Sequence, residues 1–215
     1  MSTTARPILW TFRRCPYAMR ARLAIQSAGV AVDLREILLK DKPEGFLAAS
    51  PKGTVPVVQN GETVIEESLD VMHWALAQND PEAWLDMPET GHDLIAETDG
   101  PFKTALDRTK YAVRYSDVDV AEERSKAGAF LSKLETQLAD RPYLFGDAPR
   151  LADMAILPFV RQFAHTDLDW FTAQPWPGVV AWLQAFKASR RFQSIMTKYP
   201  PWQTGDAPTT FPKAP

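Results

Sequence analysis

VPVVQNGETVIEESLD, residues 55–70, decides how the first part of this chain reads. VPVVQ and TVIEE are apolar runs on either side of Asn60-Gly61, a dipeptide that favours a tight hairpin turn because both residues accept a positive φ. Ser68 then stands as the cap of a helix, SLDVMHWALAQ, with Leu69, Val71, Met72 and Leu76 on its apolar side. Upstream, PILWTF (7–12) is a short apolar run suited to a buried strand, and Pro16 opens a helical segment that Gly29 closes. VAVDLREI (30–37) alternates like a second strand, and PEGFLAAS (43–50) forms a short helix before Pro51. The element order is βαβαββα.

Beyond this point the pattern changes. NDPEAWLDMPETG (79–91) is rich in turn residues and acids and reads as a linker. The stretches 101–115, 120–139, 151–165, 177–189 and 191–198 then carry apolar residues at three- and four-residue spacing, as in Leu151, Ala155, Phe159 and Phe163. Pro158 falls inside one of them and should bend it, or lie where neighbouring helices tolerate the lost hydrogen bond. The tail from Tyr199 holds five prolines and should lie extended over the surface. The reading is therefore an α/β domain over 1–79, a linker over 80–91 and an all-α domain over 92–215.

Composition excludes several classes of function. A net charge of −3 with no clustered Lys/Arg surface argues against nucleic acid as a partner. No apolar run approaches the ~18 residues a membrane helix needs. The N-terminus MSTTARPILW lacks the apolar stretch of a secretory signal. A single cysteine forms no internal disulfide, which fits a reducing cytoplasm.

That cysteine is Cys15, in CPYAMR (15–20). A sole cysteine is ordinarily a small buried hydrophobe. This one falls at the N-terminus of the first helix, where free N–H groups and the helix dipole favour a thiolate. Arg13, Arg14 and Arg20 add positive charge, so the thiol should titrate below its free value. Ala18 occupies the place of a second thiol in a CxxC relay, so any redox step needs a thiol from a cosubstrate.

Two further stretches could hold such a cosubstrate. In GTVPVV (53–58), a cis bond between Val55 and Pro56 would turn the Val55 backbone outward to pair with an extended peptide; the plain alternative is an edge strand that tolerates proline. In EESLD (66–70), the helix start at Ser68 could hold a carboxylate and Glu67 an ammonium group; the plain alternative is capping.

Taken together, these stretches resemble the cytosolic glutathione S-transferase superfamily over nearly the whole chain. The βαβαββα half with ESLD resembles its thioredoxin-like domain, and YLFGDAPRLADMAILP (143–158) resembles its helical-bundle domain. The Cys-Pro-aromatic-Ala run and LKDKPEGFLAASPKGTVPVV (39–58) are most similar to the cysteine-type members of the omega class. The resemblance implies that Cys15 attacks or forms a mixed disulfide with glutathione. It also implies that Lys42 meets the glycyl carboxylate, Val55 the cysteinyl backbone, and Glu67 with Ser68 the γ-glutamyl end. It further implies a homodimer, a small electrophilic or disulfide substrate, and no metal. Thiol transfer is the activity expected; conjugation of electrophiles, or a non-catalytic protein-binding role, are the alternatives. One departure stands out: Arg150 replaces the Ser/Thr usual three positions before Asp153, so a capping box should be missing. Tyr111, Tyr115, Trp170 and Trp176 could line a pocket or fill a core, and no role is assigned to them.

Overall fold

A computed structural model of the chain describes residues 6–213. The chain divides into two compact units, Met1–Pro81 with Arg190–Pro215, and Glu82–Ser189. The second boundary differs from the sequence reading, which assigned everything after the linker to the helical half.

The first unit is built on β1 (Ile8–Thr11), α1 (Pro16–Ala28), β2 (Val32–Glu36), α2 (Glu44–Ala49), β3 (Val57–Asn60), β4 (Thr63–Ile65) and α3 (Ser68–Leu76). β1 runs parallel to β2 with Leu9 opposite Leu34, and antiparallel to β3 with Leu9 opposite Val58. Parallel neighbours need a crossover, and α1 supplies it. Pro16 sits in its first turn, and Gly29, at a left-handed φ of 67°, ends it by donating its N–H to Gln26 and Ile25. α1 packs along α3. Trp10, Ala18, Ile37, Phe46, Val55 and Val57 form a buried apolar cluster, with Cys15 and Trp202 packed against it.

Two expectations shift in detail. Asn60 pairs with Thr63, so the hairpin turns on Gly61-Glu62, with φ of 62° at Gly61, one residue later than Asn60-Gly61. Ser68 is the first helical residue of α3, and Glu67 takes the position before it, with no side-chain cap bond at that end.

The tail corrects the sequence reading more fully. After α10 (Arg190–Ile195), residues Thr210–Phe211 form β5, which pairs antiparallel with β2 and completes the order β4-β3-β1-β2-β5. Leu34 N–H donates to Thr209 O at 2.8 Å, Thr209 N–H to Asp33 Oδ1 at 2.8 Å, and Trp202 N–H to Glu36 O at 2.8 Å. The Arg35 guanidinium lies over Trp10 and Trp202, at 4.9 and 4.4 Å. The segment thus covers the free edge of β2. Its prolines stand beside the paired positions and not within them, which is why their density misleads.

The second unit contains α4 (Glu89–Glu97), a wide turn through Thr98–Phe102, α5 (Lys103–Lys110), α6 (Val120–Leu138), α7 (Leu151–Ala164), α8 (Leu168–Thr172) and α9 (Pro177–Ala188). α4 begins inside the expected linker, and Trp84 there is fully buried, its carbonyl accepting from Leu151 N–H at 2.9 Å. Residues 82–91 are therefore part of a folded unit. α7 runs through Pro158 unbroken and is buried from Leu151 to Val160. Phe163 of this helix packs edge-on against Phe102 and Phe171, and Phe102 makes a tilted contact with Phe130. The open N-terminus of α9 is closed by Glu135 of α6, whose carboxylate accepts from Gly178 and Val179 N–H at 3.0 and 2.8 Å.

Asp153 corrects the capping expectation in part. Its Oδ2 accepts from the Arg150 N–H at 2.9 Å, so the acidic half of the box is present. Arg150 cannot supply the other half, and its guanidinium donates to Ala83 O at 2.5 Å. Asp153 Oδ1 accepts from Leu144 N–H at 2.9 Å and Trp182 Nε1 at 3.1 Å, so one fully buried carboxylate ties three segments together.

Candidate functional site

Cys15 lies in the position that precedes α1, in extended backbone at φ −73° and ψ 125°, and its side chain makes no cap bond. The turn before it closes through Cys15 N–H to Phe12 O at 3.0 Å. Packing against Trp10, Ala18 and Val55 leaves the thiol half-buried. Its Sγ lies 3.7 Å from Val55 O, and the Val55-Pro56 peptide is cis. Two residues singled out in sequence forty positions apart are thereby neighbours.

Lys42 lies against Gly53, two residues before Val55. A Cβ added at Gly53 would meet Lys42 Nζ at 3.0 Å and Leu47 Cδ2 at 3.2 Å, and φ there is 61°. The positive φ favours glycine there, and the Lys42 ammonium lies beside the turn that leads into Val55.

Ser68 is buried in the first turn of α3, where its Oγ accepts from Arg20 Nη1 at 3.4 Å. Arg20 belongs to α1, so the helix that begins at Cys15 also braces Ser68. This assigns Arg20 to the Ser68 end, whereas the sequence reading enlisted it beside the thiol. Glu67 is exposed and pairs with Lys52 at 3.0 Å; Lys52 also approaches Glu66 at 3.7 Å, and Glu66 accepts from Ser50 Oγ at 2.5 Å. These carboxylates raise the Lys52 pKa, the Glu67 hydrogen bond foremost. An ammonium group arriving at Glu67 therefore competes with Lys52, a residue absent from the sequence-derived set.

Arg22 and Glu36 were missed as well. Both are charged and buried, Arg22 on α1 and Glu36 at the end of β2. Desolvation pushes Arg22 down to about 10, opposed foremost by the negative charge of Glu36. Burial raises the Glu36 pKa, opposed by its hydrogen bond from the Arg13 backbone and by the Arg22 charge. The available signal was the position of Arg22 on a helix that has to be buried almost all round.

Of the four aromatics left without a role, Trp170 and Trp176 line a groove of about 790 Å³ within the second unit, together with Arg124 and Gly128. Tyr111 and Tyr115 instead stack with Arg114 and Arg108, at 4.2 and 5.2 Å. Among the described residues, no three His, Cys, Asp or Glu side chains gather as a metal site. Among the described residues, no helix is long and apolar enough to cross a membrane.

Comparison with known proteins agrees with this two-unit fold. Residues 9–84 match the glutathione S-transferase N-terminal domain family, and residues 117–185 match the C-terminal domain family. A probable glutathione transferase of Aplysia californica is 43% identical over 70 residues, covering 32% of this chain and 76% of that protein. Glutathione S-transferase omega-1 of Sus scrofa is 24% identical over 178 residues, covering 75% of this chain and 68% of that one. The solved structure of glutathione transferase Omega 3C from Trametes versicolor aligns with a TM-score of 0.70 at 18% identity, covering 86% of this chain and 82% of that one. With both domain families matched in order on a thioredoxin-like sheet unit and a helical unit, the chain belongs to the glutathione S-transferase family.

Proposed function

We propose that this protein is a cysteine-type transferase that reduces mixed disulfides of glutathione, with Cys15 as the nucleophile. The observation that carries the reading is the Cys15 thiol at the N-terminus of α1, with its Sγ 3.7 Å from Val55 O. A helix N-terminus favours the thiolate, the form that attacks. The family uses glutathione as cosubstrate, and the backbone of Val55 is suited to pair with its cysteinyl residue as a short added strand. That pairing would set the peptide's sulfur beside Sγ. Lys42 would meet the glycyl carboxylate. Ser68 at the start of α3 would receive the γ-glutamyl carboxylate, and Glu67 the ammonium group in exchange for Lys52.

The chemistry is two successive thiol–disulfide exchanges. The Cys15 thiolate attacks the glutathionyl sulfur of a mixed disulfide; a new S–S bond forms, the old one breaks, and the substrate leaves as its thiolate. A second glutathione thiolate then attacks that bond, releasing glutathione disulfide and restoring Cys15. The net change converts one mixed disulfide and one free glutathione into the substrate thiol and glutathione disulfide, one S–S bond being exchanged for another. We place the protein, as a homodimer, in a reducing compartment such as the cytoplasm, where glutathione maintains this direction.

The test is a comparison of substrates. With glutathione present, a small glutathione mixed disulfide should turn over far faster than an aryl halide. Preference for the halide would favour conjugation, with glutathione itself as nucleophile, and turnover of neither would favour a non-catalytic binding role.

A further inference from the structure

We propose that Arg22 is a positioning residue for Cys15: its buried guanidinium, braced by Glu36, fixes the loop that carries the thiol and holds positive charge behind it. The proposal rests on Cys15 being the reacting thiol.

Arg22 lies seven residues after Cys15 on α1, two turns along and on nearly the same face. Helix side chains lean toward the N-terminus, so Arg22 extends back toward the Cys15 end. Arg22 Nη2 donates to Arg13 O at 2.6 Å, while the Arg13 N–H donates to Glu36 Oε1 at 2.6 Å. Arg13 is therefore held by both its backbone polar groups, two residues before Cys15. Arg22 Nη1 lies 3.9 Å from Glu36 Oε2, which closes the triangle.

The arrangement is costly, since Arg22 is 1% exposed and Glu36 8%. Buried charges persist where they are paired and hydrogen-bonded. Here the pairing is loose: Arg22 Nε is buried without a hydrogen-bond partner among the described residues, and the ion-pair contact to Glu36 is long. Glu36 therefore leaves part of the guanidinium charge uncancelled. The guanidinium is bonded to the backbone of a residue two positions before Cys15, and a positive charge held there favours the thiolate over the thiol.

The other groups facing Arg22 do not reverse the sign. Arg13 adds like charge, and burial raises the Tyr199 hydroxyl pKa, so the phenol stays neutral near pH 7. Arg14 is exposed and lies over the Phe12 ring at 5.5 Å.

The experiment is the pH profile of Cys15 alkylation by iodoacetamide in wild type, Arg22→Met, Arg22→Lys and Glu36→Gln. Arg22→Met should raise the midpoint by about one pH unit, the scale of removing one nearby opposite charge. Arg22→Lys keeps a charge but loses the planar fork, and should fall between. Glu36→Gln frees the Arg22 charge from its counter-ion and should lower the midpoint. Opposite shifts in Arg22→Met and Glu36→Gln separate this role from simple loosening of the loop, which would raise both. A low wild-type midpoint unmoved in Arg22→Met, or a midpoint raised in Glu36→Gln, overturns the proposal while leaving the nucleophile reading intact. A wild-type midpoint at the free-thiol value of about 8.5 overturns both. If Arg22→Met does not fold, Arg22→Lys and Glu36→Gln decide by the same criteria.

Discussion

Replacing Cys15 by serine should reduce turnover of glutathione mixed disulfides to the uncatalysed rate and leave glutathione affinity nearly unchanged. Exchange depends on a thiolate as attacking group and on sulfur as leaving group, and a hydroxyl supplies neither. The ligand contacts proposed for Lys42, Val55, Glu67 and Ser68 do not involve Sγ, so binding should survive. No second cysteine exists in the chain to take over. The serine hydroxyl could instead donate a hydrogen bond to the thiolate of bound glutathione, so any conjugating activity should persist or rise. Steady-state rates on a mixed disulfide and an aryl halide, with calorimetric titration of glutathione, check all three. Thiol transfer at the wild-type rate in this variant would remove Cys15 from the mechanism.

The largest effect on stability is expected from Asp153→Ala. The carboxylate accepts from Leu144 N–H, Arg150 N–H and Trp182 Nε1 at 2.9 to 3.1 Å and is fully buried. Truncation leaves the buried Leu144 and Trp182 donors unpaired, each worth about 1–3 kcal/mol, and frees the half-buried Arg150 N–H, so a total loss of about 2–6 kcal/mol is expected at pH 7. For a chain of this size the melting temperature should fall by about 10 °C. The loss should also depend on pH. Burial pushes the Asp153 carboxyl up to about 6 from an ordinary 3.8. A raised folded-state value adds stability that is complete below the unfolded value and is lost as pH rises through about 6. The alanine variant lacks this contribution, so its deficit should be larger at pH 5 than at pH 7. Urea unfolding at the two pH values measures both effects. A loss below about 1 kcal/mol would show that the three donors find other partners.

The parts of this structure that were legible in sequence are those where one residue type does one local job. Pro16 and Gly29 bound α1 as read, and the hairpin falls one residue from its expected turn because strand register, and not the dipeptide, sets it. The place of Cys15 at the start of α1 was legible from Pro16, whereas its proximity to Val55 was not. The remainder depends on contacts distant in sequence. β5 exists because β2 has an open edge, a fact about the sheet that proline content in the tail cannot report. Trp84 reads as part of a linker until Leu151 is placed beside its carbonyl. In sequence Arg20 reads as a charge beside the thiol and Arg22 carries no reading at all, since the burial that gives each its partner comes from packing distant in sequence; the fold shows that one donates to Ser68 and the other to the backbone of Arg13.

The central claim is that a covalent bond forms between glutathione and Cys15 during turnover. Intact-protein mass spectrometry after mixing with a small glutathione mixed disulfide, with no free glutathione present, tests it directly. The account predicts a single glutathionyl adduct on Cys15, formed as the substrate thiol is released and removed when glutathione is added. Release of the substrate thiol on adding glutathione, with Cys15 unmodified throughout, would contradict it.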